Sequence, residues 1–259
     1  MNRRLYRNHW IAAVTLCAAL PFAGCDRKSK EPSASQTPGG TSTAPSGQEA
    51  ASQKKALVRF AQDVSETQSP SVDLWFGDMK VFSNVGYKQI TPYVEVPAER
   101  HDFKIQRAGE TQVTALATSS EGLAAGGHYT IVAERHSAKD QQLALDVLKD
   151  DLSVPATGKS KLRVVNATVG LGKIDMYGPD GKLFTGIGER SSTSYKDVPP
   201  TAGTIEVRRA DKKTDVLRIT KANLQAGKIY TIVVSGGSGA PIESVIVADQ
   251  QTPPVGVGG

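Results

Sequence analysis

The chain has 259 residues, of which 39% are hydrophobic, 22% are charged and only 6% are aromatic. This composition is ordinary for globular domains, and with two cysteines it excludes wholesale disorder, a multi-span membrane protein, a collagen-like repeat and a disulfide-rich scaffold. The formal charge of +5 falls to about +2 without the three arginines of the first ten residues, so nucleic acid is not an expected partner.

Residues 1–24 have the features of a bacterial export signal. Three arginines precede an apolar run at 11–22, which is too short to cross a bilayer core. Small residues then lead directly to Cys25, as in the lipobox of bacterial lipoproteins, although Phe22 stands where that motif usually has Leu. We expect a lipoprotein signal peptide at 1–24 and a lipid on Cys25. The alternative is an ordinary cleaved signal followed by a chance cysteine.

The lipid on Cys25 makes the membrane the first expected partner. Cys25 is the only cysteine left after processing, so an internal disulfide is not possible. Residues 25–55 are rich in Ser, Thr, Pro, Gly and Gln, and predict a flexible linker. The expected location is the bacterial cell envelope, facing the periplasm or the cell exterior. Asp26 resembles an inner-membrane retention signal of enteric bacteria. The sequence does not decide between the inner and the outer membrane.

An internal repeat divides most of the remaining chain into two copies. Five segments recur at an offset that drifts from 104 to 101 residues. The pairs are Val58–Phe60 with Leu162–Val164, Val72–Trp75 with Ile174–Tyr177, Tyr93–Pro97 with Tyr195–Pro199, Phe103–Ala108 with Ile205–Ala210, and Leu123–Val132 with Leu224–Val233. The repeat predicts one domain at 56–153 and a second at 160–251, joined by a linker at 154–158. Residues 252–259 are expected to be a disordered tail.

Each copy has the pattern of a β domain. Apolar and polar residues alternate over four to eight positions, and turn residues separate the runs. The segment 177–182 contains Pro-Asp-Gly and predicts a hairpin. The segment 138–149 has some helical character, but its counterpart after Gly239 is strand-like, so a strand is expected there too. The predicted fold class is therefore all-β, with two tandem antiparallel sandwiches of an immunoglobulin- or transthyretin-like kind.

These repeated motifs resemble the domain-of-unknown-function family 4397. The resemblance rests on the apolar-Arg-apolar and apolar-Asp-apolar strands, the Tyr-x-x-Val-Pro turn and the Gly-x-x-Tyr-Thr-Ile-Val strand, and covers about 57–152 and 161–250. Copy one departs from it at Ala98-Glu99-Arg100, where a tighter turn is usual, and copy two has a shorter loop after its first strand. The resemblance implies a secreted or envelope bacterial protein with sandwich domains in tandem. It implies no activity.

No motif of known chemistry is found in the repeats. His101, His128 and His136 have no metal-like spacing and are expected at the surface or at loop ends. Asp150, Asp151 and the nearby Asp146 match no calcium loop, and the end of a strand explains them equally well. The sequence therefore predicts no enzyme, no cofactor and no metal.

One set of residues remains a candidate for binding. Arginine, aspartate and an aromatic residue are expected to point outward on neighbouring strands in both copies. The set is Arg59, Asp73, Trp75, Arg163, Asp175 and Tyr177. Such a face can bind a glycan or a loop of an envelope protein. The same residues can instead form a structural cross-strand pair beside a ring, which we favour, or be covered by the other domain.

The expected function is that of a membrane-anchored, non-catalytic binding or scaffolding module of the envelope. A first alternative is an enzyme that acts on envelope polysaccharide with carboxylates such as Asp73 and Asp175. A second alternative is a passive structural spacer.

Overall fold

The structure is a computed structural model, and it describes residues 54–64, 71–110, 114–137, 142–212 and 214–249. The predicted signal peptide, Cys25, the linker up to residue 53 and the predicted tail lie outside these residues. Within the described part of the chain, no helix has the length and apolar character needed to span a membrane. All described residues belong to one unit, Glu49–Gly259.

The first repeat forms eight strands because its apolar residues alternate with polar ones between turn residues. The strands are β1 (Lys55–Gln62), β2 (Ser71–Phe76), β3 (Met79–Gly86), β4 (Val94–Pro97), β5 (Arg100–Arg107), β6 (Ala117–Gly122), β7 (His128–Arg135) and β8 (Leu143–Asp150). The ambiguous segment before Lys149 is thus a strand where it is described, as predicted.

The second repeat forms nine strands in the same order, with one extra short strand. They are β9 (Ser160–Thr168), β10 (Ile174–Gly178), β11 (Gly181–Ile187), β12 (Ser191–Ser192), β13 (Lys196–Val198), β14 (Thr201–Arg209), β15 (Asp215–Leu224), β16 (Ile229–Gly237) and β17 (Ala240–Ala248). The predicted hairpin joins β10 to β11, with Gly178 paired to Gly181 across Pro179 and Asp180.

Each repeat is a sandwich of two sheets. In the first repeat the sheets have the order β4-β1-β7-β8 and β3-β2-β5-β6. In the second they have the order β12-β9-β16-β17, with β13 also on β9, and β11-β10-β14-β15. The predicted all-β sandwich fold is confirmed. Most neighbours are antiparallel, but β1 pairs with β7, and β9 with β16, in parallel.

Each sandwich has its own apolar core between its two sheets. Phe60, Leu74 and Ile105 lie in the first core, and Val164 and Met176 lie in the second. Because side chains alternate along a strand, the residues between these core positions point away from the core. The covering of those outer faces decides which residues are available for function.

Candidate functional site

The outer face of one sheet in each sandwich is covered by the other sandwich. All nine residues of β9 are buried, whereas a strand with one covered face alternates between buried and exposed side chains. β7 and β16 also bury continuous runs of residues. The sheets β4-β1-β7-β8 and β12-β9-β16-β17 therefore face each other in the middle of the described unit.

Two reciprocal ion pairs lie at the centre of this interface. The Nη2 of Arg59 lies 2.5 Å from Oδ1 of Asp249, and the Nη1 of Arg163 lies 2.7 Å from Oδ1 of Asp150. The arginine side chains are 3% and 2% exposed, and both aspartates are fully buried. Arg59 and Arg163 occupy equivalent positions, as do Asp150 and Asp249. The arginine of each repeat thus pairs with the aspartate of the other.

Threonine and tyrosine hydroxyls complete the coordination of both carboxylates. Thr130 donates to Asp150 at 2.7 Å, and its oxygen also accepts a hydrogen bond from Nε of Arg59 at 2.9 Å. Tyr93 donates to Asp150 at 2.6 Å. In the other half Thr231 and Tyr195 donate to Asp249 at 2.7 and 2.9 Å.

We call these eight residues the interdomain cluster: Arg59, Tyr93, Thr130, Asp150, Arg163, Tyr195, Thr231 and Asp249. Each guanidinium also lies over the tyrosine ring of its own repeat, at 4.9 Å for Arg59 and 4.6 Å for Arg163. Burial and the charge of Asp150 raise the pKa of Tyr93 above its ordinary range. Burial lowers the pKa of Arg59, but the charge of Asp249 and other neighbouring groups outweighs burial and raises it overall.

Apolar contacts flank the interdomain cluster on both sides. On one side Tyr93 and Leu152 pack with Ile229 of the second repeat. On the other side Val165 and Val233 pack with Leu148 of the first repeat. These contacts exclude water from the ion pairs, which strengthens the attraction between the charges but makes an unpaired charge costly.

Further carboxyl groups are buried at the periphery of the interface. Glu134 is 1% exposed and accepts a hydrogen bond from Nε of Arg190 at 3.0 Å. Burial and the nearby Asp146 raise the pKa of Glu134 to about 8, although Arg190 opposes the shift. Burial raises the pKa of Asp63 to about 7, and the nearby hydroxyl of Ser235 of the second repeat opposes that shift.

Asp73 and Asp175 have a structural role in the outer sheets. A β-bulge interrupts the pairing of β2 with β3 and of β10 with β11. At these bulges the backbone has a positive φ, 52° at Asn84 and 63° at Gly186. Asp73 accepts the N–H of Asn84 at 2.8 Å, and Asp175 accepts the N–H of Gly186 at 2.7 Å. Each aspartate therefore holds the backbone of the extra residue in the bulge. This explains why both repeats have an aspartate at this position.

Trp75 and Tyr177 lie on the two outermost faces, and each is flanked by cations. The ammonium groups of Lys80 and Lys104 lie 5.0 and 5.5 Å from the indole ring of Trp75. Lys182 and Arg208 lie 5.2 and 4.4 Å from the phenol ring of Tyr177.

In neither repeat does the structure bring the predicted arginine, aspartate and aromatic residue together on one face. The prediction that β1 and β2 are neighbours is wrong, because β1 pairs with β4 and β7, whereas β2 pairs with β3 and β5 in the opposite sheet. Arg59 therefore points to the interface, and Asp73 points to the opposite surface. Both arginines are covered by the other domain, which is one of the three interpretations of the sequence pattern. The structural interpretation describes both aspartates, although their partners are backbone amides and lysines.

One smaller expectation also needs correction. His101 is buried, with Nε2 2.8 Å from the carbonyl oxygen of Pro97, and is not a surface histidine. The aspartates considered for calcium have other partners: Asp150 lies in the interdomain cluster, and Asp151 pairs with Lys161 at 3.1 Å. Hydrogen bonds from Ser153, with a smaller contribution from Lys161, lower the pKa of Asp151 to about 2.

The carboxylates of the interdomain cluster were not recognised in the sequence. Asp150 is the last residue of β8 and Asp249 directly follows β17, at an offset of 99 residues that continues the drift of the repeat. Their signal was that a charged residue recurs in both copies at the end of the last strand. A second signal was that the arginine, tyrosine and threonine of the interdomain cluster are identical in the two copies, although outward positions are usually variable.

Two all-β sandwiches joined by a buried, reciprocal polar interface define a tandem-repeat β-sandwich protein. The family model of DUF4397, a domain of unknown function, matches residues 56–177 and 170–256. The chain belongs to the DUF4397 family, and its two matches are consistent with two copies of the domain.

Similarity to solved structures is weak. The Bacillus anthracis TIE protein matches at 13% identity with a TM-score of 0.22, over 71% of this chain and 34% of that protein. A Bacteroides fragilis protein described as a candidate cell adhesion protein matches at 12% identity with a TM-score of 0.16, over 66% of this chain and 71% of that protein. The chain spans about a third of the length of the TIE protein. No protein of curated function matches it.

Proposed function

We propose that this chain is a lipid-anchored, non-catalytic protein of the bacterial cell envelope, whose two DUF4397 sandwiches form one rigid binding or scaffolding unit. The observation that carries the proposal is the interdomain cluster. Four buried charges pair across the two repeats with 2.5 and 2.7 Å contacts, and separating the repeats would leave all four unpaired.

The rigid arrangement determines which surfaces a partner can reach. One sheet of each sandwich is used for the contact with the other, so the sheets β3-β2-β5-β6 and β11-β10-β14-β15 are left as the two outer surfaces. The lipobox-like segment before Cys25 supports attachment to a membrane through a lipid. The Ser-, Pro- and Gly-rich stretch that follows supports a linker between that lipid and the sandwiches.

The geometry favours binding over catalysis. Glycoside hydrolysis requires two carboxyl groups on either side of one bond, about 5–10 Å apart. Asp73 and Asp175 lie in separate sandwiches, and each is held by a backbone amide and a lysine. We therefore do not propose an enzyme that acts on envelope polysaccharide.

The test is crosslinking in cells of the native host, followed by purification of the protein from membranes. Wild-type protein is compared with Cys25→Ala, and the membrane fraction is measured for both. We expect the wild type in the membrane fraction with a discrete crosslinked partner, and the variant released with the partner lost. An unchanged membrane fraction for Cys25→Ala would refute lipid attachment.

A second variant tests the rigid unit. Arg163→Met removes one cation of the interdomain cluster and leaves both outer surfaces unaltered. We expect this variant to reach the membrane but to lose the crosslinked partner, because the two outer surfaces no longer have a fixed relation. Crosslinking at the wild-type level would show that the fixed arrangement is not needed for binding.

A further inference from the structure

A row of side chains crosses the outer sheet of the first repeat at right angles to its strands. Trp75 of β2 is paired in register with Lys80 of β3 on one side and with Lys104 of β5 on the other. Lys104 is in turn paired with Thr118 of β6. Since paired residues point to the same side of a sheet, the row reads cation, indole, cation, hydroxyl.

The hydrogen-bonding capacity of this row is unbalanced, because it has more donors than acceptors. Lys80 pairs with Asp73 at 2.6 Å, but Lys104 forms no ion pair with any carboxylate that the structure describes. The indole Nε1 of Trp75 is buried and has no hydrogen-bond partner among the described residues. The same holds for Nε2 of Gln106, which lies two residues after Lys104 and is 5% exposed. A buried donor without an acceptor is costly, so the N–H groups of Trp75 and Gln106 favour an acceptor from outside the protein.

In the second repeat, the equivalent sheet contains an acidic side chain that pairs with its cations. Tyr177 stands in the place of Trp75, and its partner on β14 is Glu206 where the first repeat has Lys104. Glu206 binds Nη2 of Arg208 at 2.5 Å and Nη2 of Arg218 at 2.9 Å. The row of the second repeat is therefore neutralised internally, and the row of the first repeat is not.

We propose that the outer sheet of the first repeat binds an acidic polysaccharide, with a sugar carboxylate between Lys80 and Lys104 and a sugar ring beside Trp75. A carboxylate is the acceptor that the unpaired ammonium group of Lys104 and the two neutral N–H donors require, and Lys80, which is already paired with Asp73, lies on the other side of the indole. The indole favours a saccharide over a purely ionic ligand, because the apolar face of a sugar ring packs on an aromatic ring. This inference rests on the proposed function of a binding module and gives that module a ligand class.

The experiment is a calorimetric titration of the full processed chain, carrying Cys25→Ser, with hexagalacturonate in 50 mM salt. We expect one hexagalacturonate per chain, an affinity that weakens as salt is raised to 300 mM, and no heat with a neutral glucose hexamer. Lys104→Glu gives the first repeat the negative charge that the second repeat has at the equivalent position, Glu206. We expect it to weaken binding by about tenfold or more.

The matched control is Lys182→Glu, which reverses a lysine beside Tyr177 in the second repeat and is expected to leave the affinity unchanged. Circular dichroism of both variants confirms that they are folded. Equal weakening by Lys104→Glu and Lys182→Glu would overturn the assignment to the first repeat. Equally tight binding of hexaglutamate would overturn the saccharide assignment.

The absence of any binding to hexagalacturonate would overturn the proposed site. That result is distinguishable from failure of the proposed function, because membrane attachment and crosslinking depend on Cys25 and on the interdomain cluster. Crosslinking that persists without glycan binding would point to a protein partner instead.

Discussion

Replacement of Arg163 by methionine tests whether the interdomain cluster stabilises the fold. The side chain of Arg163 is 2% exposed, and its partner Asp150 is fully buried, so the substitution leaves a carboxylate without its cation in an environment closed to water. Breaking a buried pair from one side costs about 3–5 kcal/mol. With a urea m-value of about 2–3 kcal/mol per molar, the midpoint of unfolding should fall by roughly 1–2.5 M.

The assay is urea unfolding followed by tryptophan fluorescence and circular dichroism. The control is Arg218→Met, which breaks ion pairs of an arginine whose side chain is 58% exposed and should cost less than about 1 kcal/mol. Adding Asp150→Leu to Arg163→Met should recover part of the lost stability, because it removes the unpaired buried charge, although the hydroxyls of Tyr93 and Thr130 then lose their acceptor. Equal small losses for Arg163→Met and Arg218→Met would refute the reasoning.

Two further predictions follow from the buried carboxyl groups. Because the pKa of Asp63 is about 7 and that of Glu134 about 8 in the folded state, against ordinary values of 3.8 and 4.5, the folded protein binds more protons than the unfolded chain at intermediate pH. The free energy of unfolding should therefore fall as pH rises from 5 to 8, and urea titrations of the wild type and of Glu134→Gln at several pH values measure this, with a flatter dependence expected for the variant. Asp175→Ala should cost about 1–2 kcal/mol, because the N–H of Gly186 loses a charged acceptor, and should speed hydrogen exchange at that amide; unchanged exchange would contradict the bulge assignment.

The fold was predictable because its signals are local and occur twice. Alternation along β2 and β10 places Leu74 and Met176 in the core, and the Pro-Asp-Gly turn at 178–181 fixes one hairpin. Each of these features follows from a few neighbouring residues. The repeat then confirms each feature with an independent copy.

The arrangement of the sheets was not predictable by the same reasoning. Alternation shows that Arg59 and Asp73 point away from the core, but it does not show which sheet each strand joins. The parallel pairing of β1 with β7 joins residues about 70 positions apart, as Arg59 with Thr130, and no local pattern encodes it. The candidate face therefore combined residues from two opposite sheets.

The reciprocal geometry of the interdomain cluster has a further consequence. In a twofold homodimer each contact between residue i and residue j occurs twice, because the same patch is used by both subunits. Here Arg59 meets Asp249 and Arg163 meets Asp150, which is that pattern with the two repeats in place of two subunits. Only the central contacts follow it: the peripheral Glu134 has Ser235 as its counterpart, so its ion pair with Arg190 occurs once.

We therefore predict that the second repeat alone, residues 154–259, forms a homodimer in which Arg163 of each copy meets Asp249 of the other. The linker holds the two repeats of the intact chain at an effective concentration of about a millimolar, so a weak contact suffices there. Sedimentation velocity of the isolated repeat, from 10 µM to near-millimolar concentration, should show a monomer–dimer equilibrium that Arg163→Glu abolishes. A folded repeat that stays monomeric throughout would mean that the unique peripheral contacts, rather than the shared central ones, hold the sandwiches together.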